Sequence, residues 1–156
     1  MTLTKSIASL LVLILGLGVV AAQSTAGDEQ PGPTGTFVTT VTHDDLQEHD
    51  YTFDVDLVGE WTVIIGDDGF VRFRYEPPEG SGWEPYVHVA EYELDGETFT
   101  IGPAVGNTLC DVAPEPTSGR YGWSAGEDDL TFTLVQDDCM PRRIVFVSQP
   151  LQRVRR

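Results

Sequence analysis

Leu57-Val58-Gly59-Glu60-Trp61-Thr62-Val63-Ile64-Ile65, then Gly66-Asp67-Asp68-Gly69, then Phe70-Val71-Arg72-Phe73-Arg74-Tyr75, is the stretch whose reading decides the fold. Trp61, Val63 and Ile65 alternate with Glu60, Thr62 and Ile64, the period-two pattern of a strand with one face in a core. Asp68-Gly69 between two such runs predicts a tight hairpin, because both residue types tolerate the positive φ that a two-residue turn requires.

Downstream of Gly69 the same grammar repeats. Tyr86 to Leu94 and Glu97 to Ile101 form a second hairpin around Asp95-Gly96, and Gly119 to Ala125 with Leu130 to Gln136 a third, closed by an acidic turn. Between them lie the loop Glu76 to Pro85, whose three prolines prevent pairing, and a long loop, Gly102 to Ser118, carrying Cys110. Arg143 to Gln149 reads as the last strand, before a basic tail ending in Arg153, Arg155 and Arg156. Upstream, Gly35 to Thr42 is rich in β-branched residues and reads as strand one. His43 to His49 follows as a short helix capped by Thr42, with acids in its first turn, where the helix dipole favours them. Tyr51 to Asp56 fits an extended segment laying aromatic side chains over one end of the core.

Residues 1–22 read as a secretory signal peptide: Lys5 is the positive flank, Ile7 to Val20 the apolar run, and Val20-Ala21-Ala22 the small-residue cleavage site. The alternative is a retained membrane anchor, for which a run of about 14 apolar residues is short. No cysteine near the cleavage site offers a lipid attachment point. Residues 23–34 are a Ser/Gly/Pro-containing flexible linker with nothing to bury, which leaves 35–156 as one domain. The signal peptide takes the sole lysine with it, so the mature chain sets eight arginines against 25 acids. Its formal charge is therefore one unit more negative than the −16 of the whole chain. Such a surface repels phosphate backbones and anionic lipid, which excludes nucleic acid and membrane surfaces as partners; the expected location is secreted or otherwise extracytoplasmic.

About eight sequential antiparallel strands with one apolar face predict an all-β up-and-down barrel, with one short helix between strands one and two; a two-sheet sandwich is the alternative. Closure removes the exposed edges, and eight strands enclose an interior that packed side chains or one small ligand just fill.

Gly59-Glu60-Trp61 resembles the Gly-x-Trp signature of the lipocalins and the wider calycin group, and the strand pattern of the mature chain is similar to exported bacterial lipocalin-like proteins. In that family the tryptophan sits at the closed end of the barrel and an arginine near the last strand packs across it. The resemblance implies that role for Arg153, with Arg142 and Arg143 as rivals. A cation over an indole face stabilises by roughly 0.5 to 2 kcal/mol, so Gly59, Trp61 and Arg153 form a structural signature rather than a ligand site. The strand and helical turn ahead of the Gly-x-Trp strand depart from the family pattern, in which that strand opens the barrel. Strand one either joins the barrel in a shifted register or is an added element.

Cys110 and Cys139, an even number in an exported chain, are expected to form a disulfide. His43, Asp44, Asp45, Glu48, His49 and Asp50 are the densest set of potential metal ligands, but an acidic solvated helical turn accounts for them and no metal site or cofactor is assigned. No catalytic constellation is legible: there is no Gly-x-Ser-x-Gly elbow and no calcium loop, and nothing marks any two acids as a buried pair. An enzyme on this scaffold would show itself by its pocket, with His88 the first residue to inspect.

The inward register is expected to bring together Val63, Ile65, Phe73, His88, Val89, Phe99, Tyr121, Trp123, Phe132, Leu134 and Phe146. An unfilled barrel with this lining binds a small hydrophobic or amphipathic molecule, the first functional expectation. The second is a packed structural or interaction domain, for which Trp83 in its Pro-rich loop is the surface to examine.

Overall fold

The computed structural model describes residues 32–52, 57–104, 110 and 118–155. Its strands are β1 (Gly35–Val41), β2 (Gly59–Ile65), β3 (Phe70–Glu76), β4 (Tyr86–Asp95), β5 (Thr98–Ala104), β6 (Gly119–Ala125), β7 (Asp129–Gln136) and β8 (Leu151–Arg153). Two helices interrupt them, α1 (His43–Glu48) after β1 and α2 (Met140–Val147) between β7 and β8. The strands pair in sequential antiparallel order and β8 returns to β1, so the sheet is a closed barrel rather than a sandwich. β1 belongs to it, pairing with β2 from Gly35 opposite Ile65 to Val41 opposite Gly59.

The opening hairpin forms as its pattern requires. Trp61, Val63 and Ile65 point inward and are buried, and Val63 lies opposite Phe73. The turn is one residue longer than a two-residue hairpin: Gly66 N–H donates to Phe70 O at 2.9 Å, leaving Asp67, Asp68 and Gly69 between them. Gly69 takes φ +79°, and the Asp68 carboxylate accepts from Phe70 N–H at 3.1 Å, so the acid and the glycine each close part of the turn. β5 runs on to Ala104, beyond the expected end at Ile101, through a register shift against β4 between Ala90 and Tyr92. Residues 1–31, 53–56, 105–109, 111–117 and 156 lie outside the described residues, and with them the expected signal peptide, most of the linker, most of the Tyr51–Asp56 segment and most of the Cys110 loop.

The C-terminal reading is corrected. The expected strand from Arg143 to Gln149 is the helix α2, and the closing strand is the three-residue β8 after it. Ile144, Val145 and Phe146 are consecutive and all buried. A strand can turn only alternate residues inward, whereas a helix in contact with the core on several sides buries all three. Pro141 in the first turn starts that helix without losing an intrahelical hydrogen bond.

The helix also does a strand's work. β8 meets β7 at Asp129 and Leu130 and meets β1 at Phe37 and Val38. Beyond that level α2 packs against both β7 and β1 and completes the wall. Among the described residues no helix is long and apolar enough to cross a membrane.

Candidate functional site

Aromatic and aliphatic side chains of the chain itself meet in the barrel interior. Val63, Ile65, Phe73, Phe99, Tyr121 and Phe132 are buried facing inward, as the strand register requires. Phe146 joins them, but from α2 instead of a strand. Its ring centroid lies 4.4 Å from that of Phe132, 5.0 Å from Tyr121, 5.3 Å from Phe73 and 5.9 Å from Phe99. These are edge-to-face and tilted contacts at packing distance, so one phenyl ring takes the centre of the barrel.

Three expected lining positions differ. His88 and Ala90 are the buried residues of this part of β4, which turns the half-buried Val89 to the outer face. A strand cannot present adjacent residues to one side, so His88 and Val89 are mutually exclusive. Trp123 is inward in register but only half-buried, and its Nε1–H donates to Gly96 O at 3.2 Å. It closes the rim at the hairpin-turn end. Leu134 is likewise half-buried.

At the α1 end a second aromatic group stands behind the Gly-x-Trp signature. Trp61 donates from Nε1 to Leu57 O at 2.9 Å and packs 5.0 Å from Tyr75 and 5.9 Å from Tyr86. Tyr86 lies 4.5 Å from the His88 ring. Gly59, at φ +151°, is required by this packing: a Cβ there would come within 2.6 Å of Glu76 O and 2.8 Å of the Tyr75 ring. The arginine half of the signature lies elsewhere. Arg153 places its guanidinium carbon 4.7 Å from the Phe37 ring centroid and donates from Nη1 to Thr34 O at 3.1 Å. It clamps β1 and the segment before it.

Its rival, Arg142, is the centre of a buried polar network. Nε donates to Asp137 Oδ2 at 2.6 Å and Nη2 to Asp137 Oδ1 at 2.8 Å, a fork-to-fork pair with both side chains buried. Arg142 Nη1 reaches Gly102 O at 3.2 Å, Cys139 N–H donates to Asp137 Oδ1 at 2.8 Å, and the Tyr121 hydroxyl donates to Asp137 Oδ2. Burial, reinforced by the Asp137 carboxylate, holds the Tyr121 phenol far above its ordinary range. Burial opposes the Arg142 charge, but its bonds to Asp137 outweigh this and keep it firmly cationic. Asp137 thus has donors at both oxygens, and the network anchors the start of α2 to β5, β6 and the end of β7. The Cys110–Cys139 disulfide, 29 residues apart in sequence, ties the same corner. Asp137 was not singled out from sequence; Asp137-Asp138 shortly before Met140-Pro141 is the helix-start signal that could have marked it.

The acid-rich helix α1 resolves locally. Thr42 and Asp45 form a capping box, with Thr42 N–H donating to Asp45 Oδ2 at 2.7 Å and Asp45 N–H to Thr42 Oγ1 at 3.3 Å. That carboxylate serves the helix end, and among the described residues no three His, Cys, Asp or Glu side chains gather around a common point for a metal.

Surface depressions among the described residues offer further places for a ligand. One, of about 390 Å³, lies over the β4–β5 register shift and is lined by Asp68, Phe70, Glu91, Tyr92, Glu93 and Thr100 among others. Another, shallower and about 570 Å³, lies at the α1 end between Thr40, His43, Glu60, Glu76, Pro77 and Pro78. Beyond Pro78 the loop carries Trp83, 47% exposed. Ser81 N–H donates to Pro78 O at 3.1 Å and Trp83 N–H to Ser81 Oγ at 3.2 Å, which fixes the loop backbone under the indole.

No protein-family model matches the chain, and neither a curated protein nor a solved structure matches it.

Proposed function

We propose that the chain is an exported, lipocalin-like barrel that acts as an interaction domain, with its interior filled by its own side chains and its recognition surface at the Trp83 loop. The observation that carries this reading is Phe146, whose ring stands within packing distance of four others at the middle of the barrel. A small hydrophobic ligand in the interior would have to displace it. An exposed tryptophan on a tied-down loop has no core to serve, and supplies the surface that a filled barrel needs. Export is supported by the signal-peptide reading of residues 1–22 together with the Cys110–Cys139 disulfide. The lipocalin-like relation is supported by the closed sequential barrel and by Gly59 and Trp61 packed at one end of it.

An interior small-molecule site is the second reading, favoured by His88 and Thr39, two polar side chains buried among the aromatics of the α1 end. Native mass spectrometry of the protein from its host, before and after mild organic extraction, separates the two. The interaction reading expects one unchanged mass and no uptake of a fluorescent fatty-acid probe. A discrete mass loss with probe uptake after extraction overturns it in favour of the interior site.

A further inference from the structure

We infer that the Trp83 loop docks a basic protein segment, with an arginine of the partner stacked on the indole and neighbouring carboxylates pairing with its flanking cations. This rests on the interaction-domain reading and adds the chemistry of the partner to it.

The loop is built to present that ring. Pro77, Pro78 and Pro85 restrict its backbone, and the Ser81-to-Pro78 and Trp83-to-Ser81 hydrogen bonds close it, so little ordering cost is left for binding. Within the loop sequence the charge has one sign. Glu79 and Glu84 flank it in sequence and are exposed, and no cation lies in the loop. At its root Glu60 and Glu76 stand directly opposite each other across the β2–β3 ladder. Like charges in that position repel, and the local cation, Arg74, bonds through Nε to Glu76 Oε1 at 2.7 Å. The loop and its root thus carry four carboxylates and one guanidinium, and Glu60 and Glu76 line the depression that Pro77 and Pro78 share with Thr40 and His43.

An incoming cation relieves the Glu60–Glu76 repulsion and meets an indole face whose quadrupole attracts it. Arginine suits the site better than lysine: its planar guanidinium stacks on an aromatic ring and grips a carboxylate with two parallel bonds. The strongly negative charge of the whole chain steers such a partner inward and turns anionic polymers away. A purely apolar partner finds little here beyond Trp83 and the neighbouring exposed Val87.

The test is a titration of the full protein with fluorescently labelled hexa-arginine and hexa-lysine peptides, read by anisotropy and by tryptophan quenching. Hexa-arginine should bind one to one, more tightly than hexa-lysine, and more weakly as salt rises to ~150 mM. Trp83→Ala should weaken it by roughly threefold to tenfold with the thermal midpoint unchanged. Glu79→Gln/Glu84→Gln should weaken it several-fold, while Asp67→Asn/Glu97→Gln, which removes the same charge at the opposite end, should stay close to wild type. Absent binding, an unaffected Trp83→Ala variant, or equal losses from the two charge pairs each overturns the docking site. An indole that responds to a neutral oligosaccharide and not to the peptide overturns it too. The outcome is independent of the extraction experiment: an interior ligand removes the interaction reading without altering this titration, and a failed titration leaves the filled barrel standing.

Discussion

The Phe146 ring meets Phe132 edge to face at 4.4 Å, a helix residue against a strand residue at the centre of a β-barrel. The contact explains how a barrel whose last strand has three residues stays closed. α2 fills the part of the wall that β8 does not reach, and its phenyl ring bonds that wall to β3, β5, β6 and β7 at once.

Phe146→Ala should therefore lower stability by about 3 to 5 kcal/mol, the range for emptying a well-packed aromatic site. Urea unfolding measures it. A loss below ~1 kcal/mol would mean that the ring does not fill the centre of the barrel.

The Arg142–Asp137 pair makes a sharper prediction about α2. Arg142→Met leaves the Asp137 carboxylate buried without its guanidinium, and should cost about 3 to 5 kcal/mol. Arg142→Met combined with Asp137→Leu removes both charges and should recover part of that loss, the remainder being the Tyr121 hydroxyl and Cys139 N–H left without their acceptor. Chemical denaturation of the two single variants and the double variant gives the coupling; additive losses would contradict the buried pair.

Removing the disulfide with Cys110→Ser/Cys139→Ser should reduce stability by about 2 to 4 kcal/mol, through the freedom returned to the unfolded chain. Because the Asp137–Arg142 network holds the same corner, far-ultraviolet circular dichroism of the variant should keep the native spectrum below its lower melting point.

Alkaline pH tests Tyr92 and Tyr121. Burial raises both phenols above their ordinary value, with Asp68 and Asp67 adding to the rise at Tyr92 and Asp137 at Tyr121. A group whose folded-state value is raised favours the fold while protonated. Its contribution is complete below the unfolded value of about 10 and is lost as pH climbs from there toward the folded value. Urea midpoints should thus fall above about pH 10, and Tyr121→Phe, less stable at neutral pH, should show the shallower decline.

Much of this architecture is local and was legible. Alternation over Glu60–Ile65 and the Asp/Gly turn specify β2, β3 and their hairpin, because side-chain period and backbone φ are properties of neighbouring residues. Thr42 and Asp45 cap α1 within a span of four residues. The pairing of Cys110 with Cys139 required only that there be two cysteines. Opacity begins where the decision is made by partners distant in sequence. Arg143 to Gln149 is rich enough in β-branched and aromatic residues to read as a strand, and only the space between β7 and β1 makes a helix the better burial for Ile144, Val145 and Phe146. The choice between His88 and Val89 depended on the β3 register, with His88 set opposite Phe73. Arg153 found Phe37 instead of Trp61 because β8 pairs Arg153 with Phe37 directly. Asp137 is one acid among 25 until Arg142, Tyr121 and Cys139 converge on it. By itself the sequence determined the first seven strands, their turns and the charge of this protein, whereas the helix α2, the closing strand and the packing of the barrel were decided by tertiary structure, since packing is a relation between residues that the chain order does not bring together.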